Sequence, residues 1–186
     1  MKNTDKIKSL TGTLHLCAYN ARGEALWHTT EHNLIVLSGY QSVVEALAGV
    51  EGARIANIAV GTNGEAPVLN DAGITNAVAV PITRVTYPEF ATARFHFKIG
   101  YNDANGLAIR EYGLLTAAGK LFSRKVREPL EKTQYLSIVG MWDIKLFEQS
   151  VEASPYLAVT PELVWLPLND PVAQVNVTSN TDWVIE

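Results

Sequence analysis

A single cysteine, Cys17, stands in a chain of 186 residues, so no disulfide can close within the chain and no cysteine-based zinc site can form. No apolar run approaches the ~18 residues that a membrane-spanning helix needs, which argues against membrane insertion. Charge is sparse, at 18 % of residues, and the formal net charge is -4. Neutralising phosphates takes a basic stripe, so nucleic acid is not an expected partner. The one basic cluster, Arg124, Lys125 and Arg127, runs into Glu128 and Glu131 and reads as a solvated strand end. The first residues, MKNTDKIKSL, are charged and lack the apolar centre of a secretory signal. Catalytic signatures are missing as well: there is no Gly-x-Ser-x-Gly, no His-Glu-x-x-His and no spaced carboxylate dyad, so no enzyme is expected. The glycine loop at residues 61–64 is followed by Glu65, Ala66 and Pro67 rather than Lys-Ser/Thr, which makes it a turn and not a phosphate cradle.

With 47 % hydrophobic residues the chain is composed like a folded protein. The stretch 109–126, IREYGLLTAAGKLFSRKV, reads as a β-hairpin turning at residues 117–120. Its register places Thr116 opposite Leu121, Leu115 opposite Phe122, Gly113 opposite Arg124 and Glu111 opposite Val126. Glu111 and Arg124 are then diagonal neighbours on one face, and Gly113 leaves space for the guanidinium to fold down beside the carboxylate. With no second titratable group nearby in sequence, the pair is read as a structural ion pair and not as a catalytic acid.

A second hairpin is expected from residues 11–19 and 24–33 around a turn at Asn20 to Gly23. Taking Tyr19 opposite Glu24 puts His15 opposite His28, with His32 further along the same face. Three imidazoles there, His15, His28 and His32, form a candidate metal site for zinc or a similar cation, and His96 is a fourth ligand only if the fold delivers it. The competing reading is a polar sheet face carrying unliganded histidines. Cys17, in the same alternating run, reads as a small core residue.

Ser38 and Gln41 have capping-box spacing and open a helix of about three turns that stops at Gly49. Its stripe of Tyr40, Val43, Val44 and Leu47 is expected to face the core. Strands are predicted at 54–60, 78–87 and 90–100, a loop with a surface role at 66–77, another loop at 129–132, and a long strand at 134–147 with Leu136, Ile138, Gly140, Trp142, Ile144 and Leu146 on one face. The fold class is thus mainly β (α+β): an antiparallel sheet domain over residues 1–147 with one short amphipathic helix and a polar N-terminal arm. A linker at 148–155 leads to 156–186, whose short strands have the rhythm of an immunoglobulin-like β-sandwich. About thirty residues cannot close such a sandwich, so further chain or another subunit must supply the remaining strands.

The ordered set Asn33 to Val36, Ile58 to Thr62, Ile109 to Leu115, Gly119 to Phe122, Arg124, Lys132 and Trp142 to Ile144 resembles a domain of bacteriophage tail-fibre, tail-collar and baseplate-proximal proteins, over residues 30–147. The stretch from Asn176 to Trp183 is similar to the opening of a BACON-type immunoglobulin-like domain, a module suspected of binding carbohydrate. The first resemblance implies a non-enzymatic virion structural protein of the tail, made in the host cytoplasm, with other tail or baseplate proteins and further copies of itself as partners and no cofactor. The second implies a surface glycan as alternative partner, with Trp165 and Trp183 as candidate sugar-stacking residues; the competing reading puts both tryptophans in a sandwich core. The expected contact regions are the N-terminal arm, the 61–77 loop and the C-terminal strands, burying ~1,200 Å² or more for stable assembly.

Overall fold

The computed structural model describes residues 10–146 and the strand segments 157–160 and 176–179. In chain order these form β1 (Thr11–Asn20), β2 (Ala25–His32), β3 (Leu34–Ile35), α1 (Leu37–Leu47), β4 (Ile55–Gly61), β5 (Val78–Pro81), β6 (Arg84–Thr86), β7 (Thr92–Ile99), β8 (Ala108–Thr116), β9 (Leu121–Glu131), β10 (Leu136–Lys145), β11 (Leu157–Thr160) and β12 (Asn176–Ser179). Two five-stranded antiparallel sheets result, ordered β2-β1-β10-β7-β6 and β3-β9-β8-β4-β5, while β11 pairs with β12. The class is the expected one, mainly β with one short helix among the described residues.

Alternation along the strands makes the core. Leu14 and Leu16 of β1, Phe95 and Phe97 of β7, and Ile138 and Trp142 of β10 join Ile58 and Val60 of β4, Ile109 and Leu114 of β8, and Phe122 of β9 in one apolar cluster shared by both sheets. Each fully buried side chain of this kind contributes about 1.5–3 kcal/mol of transfer free energy. Gly140 has a packing reason: a Cβ there would run into the Phe97 ring directly opposite it. Cys17 is buried and free, as its alternating run predicts.

Four local expectations are corrected. The turn sets Tyr19 opposite Ala25 instead of Glu24, and a bulge between Ala18 and Tyr19 slips β2 by one residue more, so that Thr30, not His28, lies opposite His15. The strand expected over 78–87 is two, because the chain leaves one sheet after Pro81 and enters the other at Arg84. Residues 129–131, read as loop, extend β9, with Leu130 and Glu131 paired to Ile109 and Ala108.

Of the helix's predicted stripe only Val43 packs against the core, while Tyr40, Val44 and Leu47 are exposed. Gly39 and Ser42 are its buried residues, and a Cβ on Gly39 would strike the Phe122 carbonyl. Ser38 makes no cap: its Oγ donates to the Leu121 carbonyl at 2.6 Å, and Ser42 Oγ donates to the Ser38 carbonyl at 2.7 Å. Gly39 and Ser42 thus let the α1 backbone press against β9, and Leu37, Tyr40, Val44 and Leu47 are left exposed. Gly49, at φ 74°, ends the helix where expected.

Candidate functional site

The β8–β9 hairpin carries a buried clamp. Gly113 pairs with Arg124 and Glu111 with Val126, as the sequence predicts, while a bulge sets Leu115 opposite Leu121 rather than Phe122. Arg124 Nε donates to Glu111 Oε2 at 2.7 Å, with the two side chains 2 % and 0 % exposed. The space above Gly113 holds the Ile74 and Leu121 side chains rather than the guanidinium. Glu111 Oε1 accepts the backbone N–H groups of Asn63 at 3.0 Å and Thr75 at 2.8 Å. Arg124 Nη1 donates to Asp71 Oδ2 at 2.8 Å, and that oxygen also accepts the Val68 amide at 2.9 Å. Burial alone would lower the Arg124 pKa, but the Glu111 and Asp71 carboxylates outweigh it and raise it.

Both ends of the 62–77 loop are therefore tied to one carboxylate and its middle to the paired guanidinium. This loop is too irregular to satisfy its own backbone, and the hairpin supplies the missing acceptors. Both Glu111 oxygens are engaged by protein donors, and neither reaches solvent, so the arrangement holds a loop in shape. Asp71, the third member, has no signal in sequence, since it lies far from Glu111 and Arg124 in a segment whose path only the fold defines.

The basic cluster is corrected too. Arg124 is buried, and Lys125 and Arg127 close on Glu31 of β2 at 2.7 and 2.6 Å, with the Arg127 guanidinium 5.1 Å from the centre of the Trp27 ring. Burial would raise the Glu31 carboxyl, but Lys125, Thr29 and Arg127 hold it below its usual range. The cluster joins the edge of one sheet to the other.

His15, His28 and His32 share the outer face of the first sheet but do not converge. His15 faces Thr30, with Nδ1 2.9 Å from Thr30 Oγ1 and Nε2 3.4 Å from Asp143 Oδ2. His28 lies opposite Cys17, and His32 lies opposite Thr13, its Nδ1 3.4 Å from Thr13 Oγ1. The turn at Ala25 and the bulge at Ala18 and Tyr19 together stagger them, and among the described residues no three His, Cys, Asp or Glu side chains are placed to hold a metal ion. His96 is occupied by Thr86 at 2.9 Å, and burial, followed by the charges of Arg84 and Arg94, depresses its pKa. Asp143 instead anchors the face: Arg94 donates to both its oxygens at 2.7 Å. Burial pushes its carboxyl up, but Arg94 and His15 hold it below the ordinary range.

The remaining feature is apolar. On α1, Leu37 is 53 % exposed, Tyr40 36 %, Val44 60 % and Leu47 86 %. Beside the helix opens a groove of about 710 Å³ lined by Leu10, Val43, Leu47, Tyr87, Phe95 and Leu146. At the other end of α1 the Leu37 amide donates to the Leu69 carbonyl at 2.9 Å, so the clamped loop, with Val68 and Leu69 half exposed, continues the same surface. No helix among the described residues is long and apolar enough to cross a membrane. Trp165 and Trp183, the N-terminal arm and the 148–155 linker lie outside the described residues.

Comparison with known proteins returns no match, whether to a family model, to a curated protein or to a solved structure.

Proposed function

We propose that this chain is a non-enzymatic structural subunit of a bacteriophage tail, acting in baseplate assembly or tail-fibre attachment through contacts with other subunits. The resemblance over residues 30–147 points there. The observation that carries the reading is the outward row of Leu37, Tyr40, Val44 and Leu47 beside an apolar groove, because contiguous apolar surface of this size marks interaction sites on folded proteins. The Glu111–Arg124–Asp71 clamp fits the same role. It fixes the loop that presents Val68 and Leu69 before a partner arrives, which lowers the ordering cost of association.

Peptide mass spectrometry of purified tail particles tests the reading. The chain is expected at a fixed copy number per particle, and dissociated particles should reassemble poorly when it carries Val44→Glu. Its consistent absence from particles overturns the proposal.

A further inference from the structure

We propose that a second copy of this chain covers the outer face of α1, the two helices packing antiparallel across a twofold axis so that Leu37 of each copy meets Leu47 of the other and Tyr40 meets Val44. The inference rests on the reading that the chain works through subunit contacts, and it names the surface and the partner.

Leu37, Tyr40, Val44 and Leu47 recur at steps of three, four and three residues, the spacing of a helix–helix seam, and fall within an arc of about 80° on the helix. The opposite side of the same helix, at Gly39 and Ser42, is already committed to β9. The seam is therefore a second face, left over after the fold has used the first. At 11 residues α1 is too short for a free-standing coiled coil, so the contact is one between helices held rigidly on the sides of two domains.

Area points to a like partner. Leu37, Tyr40, Val44 and Leu47, with Tyr87 across the groove, expose on the order of 600 Å², most of the ~800 Å² that each side of a stable dimer buries. A twofold contact uses one patch twice and needs no second surface of complementary shape. An antiparallel pairing sets the large Tyr40 against the smaller Val44, where a parallel one would stack Tyr40 on Tyr40 and Leu47 on Leu47. It also lays the start of each helix beside the end of the other, the favourable alignment of helix dipoles.

Sedimentation equilibrium and disulfide trapping test this on the full chain. Wild type is expected to be dimeric, and Leu47→Glu, at an exposed position that leaves the fold intact, should weaken the dimer by at least about tenfold. Antiparallel packing brings positions 37 and 47 together and separates like positions by about 15 Å, beyond the reach of a disulfide. A mixture of Leu37→Cys and Leu47→Cys chains should therefore cross-link on mild oxidation while neither alone does; Cys17 is fully buried and takes no part. A monomeric wild type, a dimer unaffected by Leu47→Glu, or trapping by each single variant alone overturns the proposal. Particle composition is read separately. A chain present in tails with α1 unpaired sinks the seam and leaves the tail reading standing, whereas a trapped 37–47 dimer absent from every particle does the reverse.

Discussion

Glu111 and Arg124 do not face each other across their hairpin: Arg124 lies opposite Gly113, Glu111 opposite Val126, and the 2.7 Å ion pair runs along the diagonal. That diagonal frees the second carboxylate oxygen for the amides of Asn63 and Thr75 and the far end of the guanidinium for Asp71. A loop with no regular structure is thereby held at Asn63, Asp71 and Thr75.

Glu111→Gln is expected to destabilise the chain by about 3 kcal/mol, because it removes the fully buried anion and leaves Arg124 only the part-exposed Asp71 carboxylate. Asp71→Asn, at a position 19 % exposed, should cost less, about 1 kcal/mol. Denaturant midpoints give the ranking, and amide exchange at Asn63 and Thr75 should accelerate in the first variant far more than in the second. Equal effects would mean that the loop is not organised around Glu111.

Leu47→Ser should change the stability of the isolated chain by less than about 0.5 kcal/mol, since the side chain is 86 % exposed. A core position on the same helix would cost about 2–5 kcal/mol when truncated. Unfolding at dilute concentration separates the two outcomes.

Gly140→Ala should destabilise by about 1–3 kcal/mol, as the added methyl meets the Phe97 ring. Phe97→Leu in that background should return part of the loss. A Gly140→Ala chain as stable as wild type would contradict the packing described for β7 and β10.

Asp143 sets an acid limit. Burial raises its carboxyl, but the hydrogen bonds from Arg94, with His15 close by, prevail and hold it below its ordinary value of 3.8. The folded chain therefore binds fewer protons at this site than the unfolded one. Its stabilisation is complete above the ordinary value and is lost as pH falls through the lower, folded value. Asp143→Asn should be less stable than wild type near neutral pH and should lose less stability between about pH 5 and pH 2. Parallel stability curves for the two chains would show that Asp143 carries none of this dependence.

Strand periodicity made most of the sheets legible. Leu136, Ile138, Gly140, Trp142 and Ile144 alternate onto the buried face of β10 as predicted, and the diagonal between Glu111 and Arg124 follows from a turn at Gly119. Sequence reasoning failed where a tertiary choice overrode a local pattern. The α1 stripe reads as core because apolar residues usually face inward, yet close approach of the Gly39 backbone to Phe122 lets small side chains win that face. The histidine trio is displaced by two residues of slip, one from the turn that pairs Tyr19 with Ala25 and one from the bulge at Ala18 and Tyr19, and neither has a composition of its own. Asp71 joined the clamp from a segment that reads only as loop.

The central claim is that the outer face of α1 is a subunit contact, and hydroxyl-radical footprinting of the free chain, diluted until its dimer has dissociated to monomer, against the assembled tail particle tests it most directly. The account predicts that Tyr40, Leu47 and Tyr87 lose most of their reactivity on assembly while Leu26, exposed on β2 of the other sheet, keeps its own. Equal labelling of Leu47 in the free and assembled states would contradict it.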